Sequence, residues 1–363
     1  MQKLLPIGVR NFEEIRKKEK FCIDINKFVM SIEEDYVYPY VDKTKELLRL
    51  VEDNNFCFFA NNRKVGKSLT LSTLEAMFQK KDELFEGLYV EDWVEARGKI
   101  PNPVLKFDME DLSKCENLFE FNDIIVAYIK AYLNHYNVSI KISPYTFIVA
   151  WQLFPKAIKA LYKKYGKVVI LIDDYDKAMY NNLGEPERIR GFLSSFYLNL
   201  ETCSKYLKFV MITGPSDVNK IALLSGLNNL KDISESEKYT DIFGFTQKEL
   251  ENNFIDWIKS ASEEISVSKI ELLDKLKEYK DSYGDFAFNL KTKLYNPFSV
   301  LYFLKNYKES LKQVDENKDS VKKLVDSRTK VKERVENYIE VTLDETVLKQ
   351  LGYEVKYKRE MNM

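Results

Sequence analysis

The segment KVVILID at residues 167–173, with an uninterrupted apolar run from 168 to 172, constrains the fold of this chain more than any other feature. A strand with one face in water alternates polar and apolar residues, so a continuous apolar strand indicates burial on both faces. Helical patterns flank the run at 147–164 and 186–203. Because strands and helices also alternate on either side of it, the chain is predicted to be an α/β protein built on a parallel sheet.

Other segments extend this pattern. Further strands are predicted at 55–60, 103–108 and 207–213, with a short final one at 239–243, and further helices at 44–52, 67–80 and 117–135. Beyond about residue 245 the pattern is helical, and the T-x-x-E sequence of Thr246 and Glu249 predicts a capping box that opens the first helix. More helices are expected at 268–281 and 297–312, and a solvated amphipathic helix at 316–337.

Composition excludes several classes of function. The chain has 56 Lys and Arg against 57 Asp and Glu, for a formal net charge of −1, which argues against a surface dominated by nucleic-acid binding but does not exclude a local basic groove. Four scattered cysteines and a single histidine offer no zinc set and no nucleophile–histidine pair. No apolar run is long enough for a membrane helix, and the start resembles no secretory signal, so we expect a cytoplasmic protein without a membrane partner.

The first motif that carries chemistry follows the strand at 55–60. Residues 61–68 read NNRKVGKS, and a predicted helix begins at once. A phosphate-binding P-loop needs backbone N–H groups around the phosphates, a lysine, a hydroxyl for Mg²⁺ and a helix N-terminus, and Gly66-Lys67-Ser68 supplies these in order. Asn61 stands where the first glycine of the motif is usual, and asparagine tolerates the left-handed backbone better than most residues. The predicted nucleotide-binding residues are Arg63, Lys64, Val65, Gly66, Lys67, Ser68 and Leu69.

The second motif is the end of the apolar strand. Asp173 and Asp174 follow it, as acids do in a Walker B segment. We expect Asp173 to hold Mg²⁺ together with Ser68, and Asp174 to orient the attacking water as a catalytic residue. The alternative interpretation is a core strand that ends in a turn.

A third strand ends at residues 213–216, TGPS. In P-loop ATPases with an additional strand between those that bear the two motifs, the tip of that strand carries a polar residue facing the γ-phosphate. Thr213 is the first candidate for this catalytic role and Ser216 the second, and the alternative is a hydroxyl that satisfies a local turn.

With these motifs in place, the chain resembles the AAA-ATPase-like family, relatives of the STAND-type switch ATPases that are often followed by a PD-(D/E)xK nuclease-like domain. The resemblance spans nearly the whole chain. It is carried by LPIGVRNFEEIR at 5–16, YVDKT at 40–44, NRKVGKSLTLSTLEAMF at 62–78, LFEGLYV at 84–90, VVILIDDYDKAM at 168–179, KFVMITGPSDVNKIALLSGLNNLKDIS at 208–234, GFTQKEL at 244–250 and YNPFSVLYFLKN at 295–306.

The resemblance implies ATP and Mg²⁺ as cofactors, and a P-loop that lacks its first glycine as a family trait. The family's Walker B resembles D-E-Y-D-K, so Asp174 takes the place of a catalytic glutamate and is one methylene shorter, which predicts slow turnover. Pro297 is similar to the lid proline that touches the base in related switch ATPases, although it also suits the first position of a helix. Arg188 and Arg190 are candidates for fingers toward a neighbouring subunit, or part of a solvated helix face.

The resemblance also implies a division of the chain. We predict an N-terminal extension at 1–36, a P-loop core of the additional-strand type at 37–245, a helical lid at 246–340 and a C-terminal segment at 341–363. The acids Asp344 and Glu354 mimic a nuclease pattern, but too few residues follow them for a nuclease core. The chain is therefore expected to be either a nuclease-free relative or a truncated one.

Three functional hypotheses follow. The leading one is an ATP-binding, slowly hydrolysing ATPase that acts as a nucleotide-dependent switch and meets a protein partner, or another copy of itself, through its core. The second is a nucleotide-binding scaffold that no longer hydrolyses ATP. The third is a remnant of a mobile-element or defence ATPase–nuclease, with a nucleic-acid partner that the balanced charge does not support.

Overall fold

The computed structural model describes residues 5–17, 19–25, 28–36, 38–61, 64–96, 101–141, 148–180, 186–215, 219–282 and 294–311. Arg63, Ser216, the helix predicted at 316–337 and the segment at 341–363 lie outside the described residues. The described strands are β1 (Glu19–Ile25), β2 (Phe28–Tyr36), β3 (Phe56–Ala60), β4 (Val104–Asp108), β5 (Val168–Asp173), β6 (Leu207–Gly214) and β7 (Lys231–Asp232). The described helices are α1 (Phe12–Arg16), α2 (Thr44–Asp53), α3 (Lys67–Gln79), α4 (Glu91–Ala96), α5 (Leu118–His135), α6 (Ala150–Tyr165), α7 (Pro186–Thr202), α8 (Lys220–Leu224), α9 (Gln247–Asn253), α10 (Ile255–Glu264), α11 (Lys269–Ser282) and α12 (Pro297–Lys305).

Five strands form a parallel sheet in the order β4-β5-β6-β3-β7. Strand β6 therefore lies between β3, which precedes the P-loop sequence, and β5, which ends in the paired acids. This order confirms the predicted additional-strand type of P-loop fold. Since all five strands run the same way, their carboxyl ends meet at one edge, where ligands bind in open α/β sheets.

Both faces of the sheet are covered, as the apolar run predicted. All six residues of β5 are buried. Val168, Ile170 and Ile172 join a core cluster with α5, α6 and α7. Val169 and Leu171 point the other way, into a cluster with α2 and α3. The alternation of side chains along a strand divides this one apolar sequence between two cores.

The prediction of a strand at 239–243 is wrong. Residues Glu237–Ile242 form a 3₁₀ helix instead, and the last strand of the sheet is the two-residue β7. Phe243 stacks on Phe59 of β3 with 3.7 Å between ring centroids. The Tyr239 hydroxyl accepts a hydrogen bond of 2.7 Å from the Asn54 side chain, just past the end of α2. These contacts hold the segment against a face of the sheet, so its apolar residues are buried without strand pairing.

The described residues after 245 are mainly helical, as predicted. Thr246 and Glu249 form the predicted capping box at the start of α9. The helical conformation is interrupted at Phe254. The single helix expected after Thr246 is therefore two helices, α9 and α10. Helices α9 to α12 pack around a core of their own; its larger members include Leu250, Phe254, Ile258, Leu272, Leu301 and Phe303.

The N-terminal residues contain an element that the sequence did not predict. Strands β1 and β2 pair as an antiparallel hairpin. They fall within the segment at 1–36 that was interpreted as an extension. Throughout the described part of the chain, no helix combines the length and the apolar character needed to cross a membrane.

Candidate functional site

The loop between β3 and α3 has two left-handed residues in its described part. Lys64 has φ 73° and Gly66 has φ 96°. The left-handed conformation considered for Asn61 is not adopted; its N–H instead donates to the Gly214 carbonyl at the end of β6, over 3.1 Å. The loop therefore turns at Lys64 and Gly66, and a hydrogen bond to the neighbouring strand fixes its start.

Helix α3 begins at the predicted phosphate-binding residues. Gly66 is its N-cap, and Thr70 N–H donates the first helical bond to the Gly66 carbonyl over 2.9 Å. Lys67 is buried, and its Nζ donates to the Asn61 carbonyl over 2.9 Å. The unpaired N–H groups and the positive dipole end of a helix N-terminus attract anions. The lysine and the helix start thus present positive charge at the same place.

A cavity of about 440 Å³ opens in front of this loop, within the range of small-molecule sites. Its polar lining comes from the loop, from the N-terminal segment and from residues that follow β4 and β5. Its apolar lining comes largely from the segment before α2 and from the helical region. The predicted site residues on its wall are Lys64, Val65, Gly66, Lys67, Ser68, Leu69, Asp174 and Pro297.

The paired acids at the end of β5 have different environments. Asp173 is 5% exposed, and its Oδ1 accepts hydrogen bonds from the Thr213 hydroxyl at 2.6 Å and from the Asp174 N–H at 3.1 Å. Asp174 has φ 50° and lines the cavity. Burial raises the pKa of Asp174, and the neighbouring Asp173 carboxylate raises it further. Asp173 is thus held by hydrogen bonds behind the cavity wall, while Asp174 is at its surface.

Thr213 lies at the predicted strand tip but not on the cavity wall formed by the described residues. Its side chain is fully buried at the end of β6, and its hydroxyl donates to the Asp173 carboxylate at the end of β5. This placement differs from the one expected for a residue that faces a phosphate. The hydrogen bond instead connects β6 with Asp173, the first of the paired acids at the end of β5.

The cavity also gathers charged residues that sequence reasoning left without a role. Glu110 follows β4, and its carboxylate lies 3.2 Å from Arg10 Nη1 and 3.6 Å from Lys177 Nζ. The hydrogen bond from Arg10 holds the pKa of Glu110 below its usual value. All three residues line the cavity. The rule that ligands bind beyond the carboxyl ends of parallel strands could have indicated Glu110. Arg10 lies in the segment at 5–16 that carries the family resemblance, but the resemblance implied no role for it.

The helical region contacts the core beside the cavity. Lys43 Nζ donates to both carboxylate oxygens of Glu249, over 2.6 and 2.7 Å, although Lys43 is buried. Pro297 is at the first turn of α12, where the Asn296 side chain accepts the Phe298 N–H over 2.9 Å. Pro297 therefore both opens the helix and lines the cavity, so the structure accommodates both interpretations of it.

The two arginines of α7 lie elsewhere. Arg190 pairs with Glu187 on the exposed side of that helix. Neither Arg188 nor Arg190 is among the cavity-lining residues of the described chain. Their suggested role toward a neighbouring subunit stays a prediction.

Comparison with known proteins gives one match at the level of a family. Residues 22–224 match the model of a family described as predicted AAA-ATPase. An uncharacterized protein from the vnfD 5′ region of Azotobacter chroococcum is 29% identical over 314 residues, which are 83% of this chain and 51% of that protein. The chain thus spans about half the length of this curated relative.

Two solved structures show weaker likeness. One is a Walker-type ATPase of Pyrococcus abyssi, with 12% identity and a TM-score of 0.38 over 83% of this chain and 80% of that one. The other is the ORC1 protein of Aeropyrum pernix in complex with DNA, with 11% identity and a TM-score of 0.35 over 76% of this chain and 68% of that one. Scores this low carry no argument about the function of this chain.

Proposed function

This chain belongs to the predicted AAA-ATPase family, and on that premise we propose that it binds ATP with Mg²⁺ in the cavity, hydrolyses it slowly and uses the nucleotide state to set the position of the helical lid. The observation that carries the proposal is the set of residues that line one cavity. It unites the Gly66-Lys67-Ser68 sequence, the acid Asp174 and the lid residue Pro297.

In this proposal, the loop between β3 and α3 and the start of α3 bind the phosphates. Lys67 supplies a full positive charge, and the N–H groups at the start of α3 supply hydrogen bonds and a partial charge. The remaining loop residues, Lys64, Val65 and Leu69, line the same wall. The predicted part of Arg63 in this binding stays a prediction, since it lies outside the described residues.

The residues present fit a magnesium ion that travels with the nucleotide. Mg²⁺ keeps several waters and is usually held by one or two protein oxygens together with the phosphates, so it needs no dedicated cage of acids. Ser68 lines the cavity, and the Asp173 carboxylate next to Asp174 is oriented by hydrogen bonds from the Thr213 hydroxyl and the Asp174 N–H. Ser68 and Asp173 would hold the ion, and bound Mg²⁺ would neutralise charge that develops on the phosphates.

Asp174 is the residue proposed to orient the attacking water. Its raised pKa favours it as a proton acceptor, and its position on the cavity wall gives it access. Its side chain is short, which supports slow turnover. We assign Thr213 a different part from the one its strand position suggested: it positions Asp173 through the 2.6 Å hydrogen bond.

The short side chain of Asp174 also favours a second candidate, a scaffold that binds nucleotide without hydrolysing it. The two differ in the effect of changes at this residue. In the ATPase, Asp174→Asn should abolish phosphate release, whereas in the scaffold the wild type and the variant should both show none. Asp174→Glu should speed turnover only in the ATPase, although the left-handed backbone at this position suits aspartate better than glutamate.

The decisive first experiment is thermal unfolding of the wild type and of Lys67→Ala, each with and without Mg-ATP. A ligand at about 100 times its Kd stabilises the fold by roughly 2.7 kcal/mol, a shift of a few degrees for a chain of this size. We expect this shift in the wild type and in the control Lys163→Ala, an exposed residue of α6, but not in Lys67→Ala. Equal behaviour of all three chains with Mg-ATP would overturn the proposal.

The association of this chain with a protein partner or with a second copy, and its cytoplasmic location, stay predictions. Sedimentation of the wild type with Mg-ATP and with Mg-ADP tests the first of them. A mass that depends on the nucleotide would support self-association, and an unchanged monomer mass would contradict it.

A further inference from the structure

Arg10 reaches the cavity from outside the α/β core. It precedes α1 and lies before the residues that match the family, 22–224. Arg10 nonetheless lines the same cavity as Lys67, Ser68 and Asp174. An arginine directed at a phosphate-binding wall from a separate segment requires that the segment be held in place.

The segment that carries Arg10 is anchored on the P-loop helix. Phe12 N–H donates to the Ser72 hydroxyl over 3.0 Å, and Ser72 is one turn beyond Ser68 on α3. The Phe12 ring is fully buried and lies 5.0 Å from the Phe85 ring centroid. These contacts fix the backbone two residues after Arg10 relative to the helix that begins at the phosphate-binding loop.

The guanidinium of Arg10 lies among acids at the carboxyl ends of β4 and β5. Its Nη1 donates to Glu110 over 3.2 Å, while the arginine side chain keeps 65% of its surface exposed. Lys177 contacts the same carboxylate at 3.6 Å. A guanidinium has five N–H donors in a fork that matches a phosphate, so one bond to Glu110 does not exhaust it.

From this arrangement we propose that Arg10 binds the terminal phosphate of ATP in the cavity and makes the site prefer ATP over ADP. This inference rests on the proposed function. Among the phosphates the terminal one is favoured because Arg10 and Lys177 contact the same Glu110 carboxylate. Lys177 lies three residues after Asp174, the residue proposed to orient water against that phosphate, and both line the cavity. Glu110 acts as a counter-ion that holds the arginine in position and yields it to the more highly charged phosphate.

The test compares Arg10→Gln with a matched control, Lys17→Ala. Lys17 is a cation of the same segment that pairs with Glu13, has 59% of its side-chain surface exposed and is not on the cavity wall. Calorimetric titration measures the Kd of each chain for Mg-ADP and for Mg-AMP-PNP, an ATP analogue with a nonhydrolysable terminal bond. Arg10→Gln should bind AMP-PNP at least about tenfold more weakly, the usual loss for one charge-assisted hydrogen bond, and ADP within about twofold of the wild type.

The outcomes separate this inference from the proposed function. If the wild type and Lys17→Ala bind both nucleotides while Arg10→Gln loses both equally or neither, the role of Arg10 is overturned and the nucleotide site stands. If the wild type binds neither nucleotide, the proposed function is overturned and this inference with it. Selective loss of AMP-PNP binding by Arg10→Gln alone supports both.

Discussion

The ammonium group of Lys64 lies 3.6 Å from the centroid of the Phe298 ring. Lys64 belongs to the loop between β3 and α3 and has a left-handed backbone, φ 73°, whereas Phe298 is in the first turn of α12. A cation over an aromatic face is stabilised by the ring quadrupole. This contact directly connects the loop that we propose binds phosphates with the helical region that we propose acts as a lid. A nucleotide that attracts Lys64 would therefore act on that helical region through one side chain.

The Lys64–Phe298 contact predicts an energetic coupling between loop and lid. In a double-mutant cycle with Lys64→Met and Phe298→Leu, we expect a coupling of about 0.5–1 kcal/mol in the free energy of unfolding without nucleotide, the usual size for an exposed cation–π pair. Urea denaturation measures it. The control cycle pairs Phe298→Leu with Lys305→Met, an exposed lysine at the other end of α12, and should be additive. Coupling of the same size in both cycles would contradict the prediction.

A second prediction concerns the ion pair between Lys43 and Glu249. The Lys43 side chain is only 9% exposed, so removal of its partner leaves a buried charge. Because Glu249 also completes the capping box of α9, Glu249→Ala should lower the free energy of unfolding by about 3 kcal/mol, at the lower end for a broken buried pair. Chemical denaturation provides the measurement.

Glu251→Ala is the matched control for that loss. Glu251 lies on the same helix and is exposed, so its removal should change stability by less than about 0.5 kcal/mol. Similar losses of unfolding free energy in Glu249→Ala and Glu251→Ala would show that the ion pair between Lys43 and Glu249 does not stabilise the contact between the core and the helical region.

Glu110 offers a third prediction. Its carboxylate is near Arg10 and Lys177 on the wall proposed to receive phosphates, so Glu110→Gln removes a negative charge that opposes an anionic ligand. We expect Mg-ATP to bind this variant more tightly by about 1 kcal/mol, roughly fivefold, with a smaller gain at high salt. Titration of Glu116→Gln, an exposed residue outside the cavity wall, should give the wild-type Kd. Weaker binding of Mg-ATP by Glu110→Gln would contradict the prediction that the negative charge of Glu110 opposes nucleotide binding.

The sequence predicted the sheet well because its signals were local. A strand buried on both faces must be apolar throughout, and β5 carries no polar residue before Asp173. The start of α3 was visible for the same reason, since Gly66, Lys67 and Ser68 are adjacent in the chain. Elements whose burial depends on distant partners were missed. The segment around Tyr239 has strand-like composition, yet its contacts with Asn54 and Phe59 bury it as a 3₁₀ helix.

In the candidate site, too, features that depend on neighbouring residues were predicted, and contacts between distant residues were missed. The wall residues that come from one loop were predicted, whereas the pair of Arg10 and Glu110 joins positions 100 residues apart and depends on the docking of the N-terminal segment. Thr213 was predicted at the end of the right strand, but its contact with the Asp173 carboxylate was not predicted. The direction of a side chain at the end of a strand depends on how neighbouring strands pack. Here the Thr213 hydroxyl donates to the Asp173 carboxylate on β5.

The last prediction concerns the pH dependence of stability at Asp174. Burial, with the Asp173 carboxylate beside it, raises the folded-state pKa of Asp174 above the unfolded value of about 3.8. The folded chain therefore binds this proton more tightly than the unfolded chain, and the ionised form opposes folding at neutral pH. Asp174→Asn removes that charge and keeps a residue that tolerates φ 50°. Without nucleotide, we expect the variant to unfold at a higher temperature than the wild type at pH 7.

This gain should shrink as the pH falls through the raised pKa of Asp174 and vanish below about 3.8, where the wild-type residue is protonated in both states. Asp232→Asn serves as a control of opposite sign. Burial alone would raise the pKa of Asp232, but hydrogen bonds from Lys220 and Ser234 outweigh it, and the pKa is lowered. Its ionised form thus stabilises the fold above the unfolded pKa, and Asp232→Asn should unfold at a lower temperature than the wild type at pH 7. Calorimetric scans of the three chains between pH 4 and 8 test both signs, and a lower unfolding temperature for Asp174→Asn at pH 7 would contradict the charge assigned to the cavity wall.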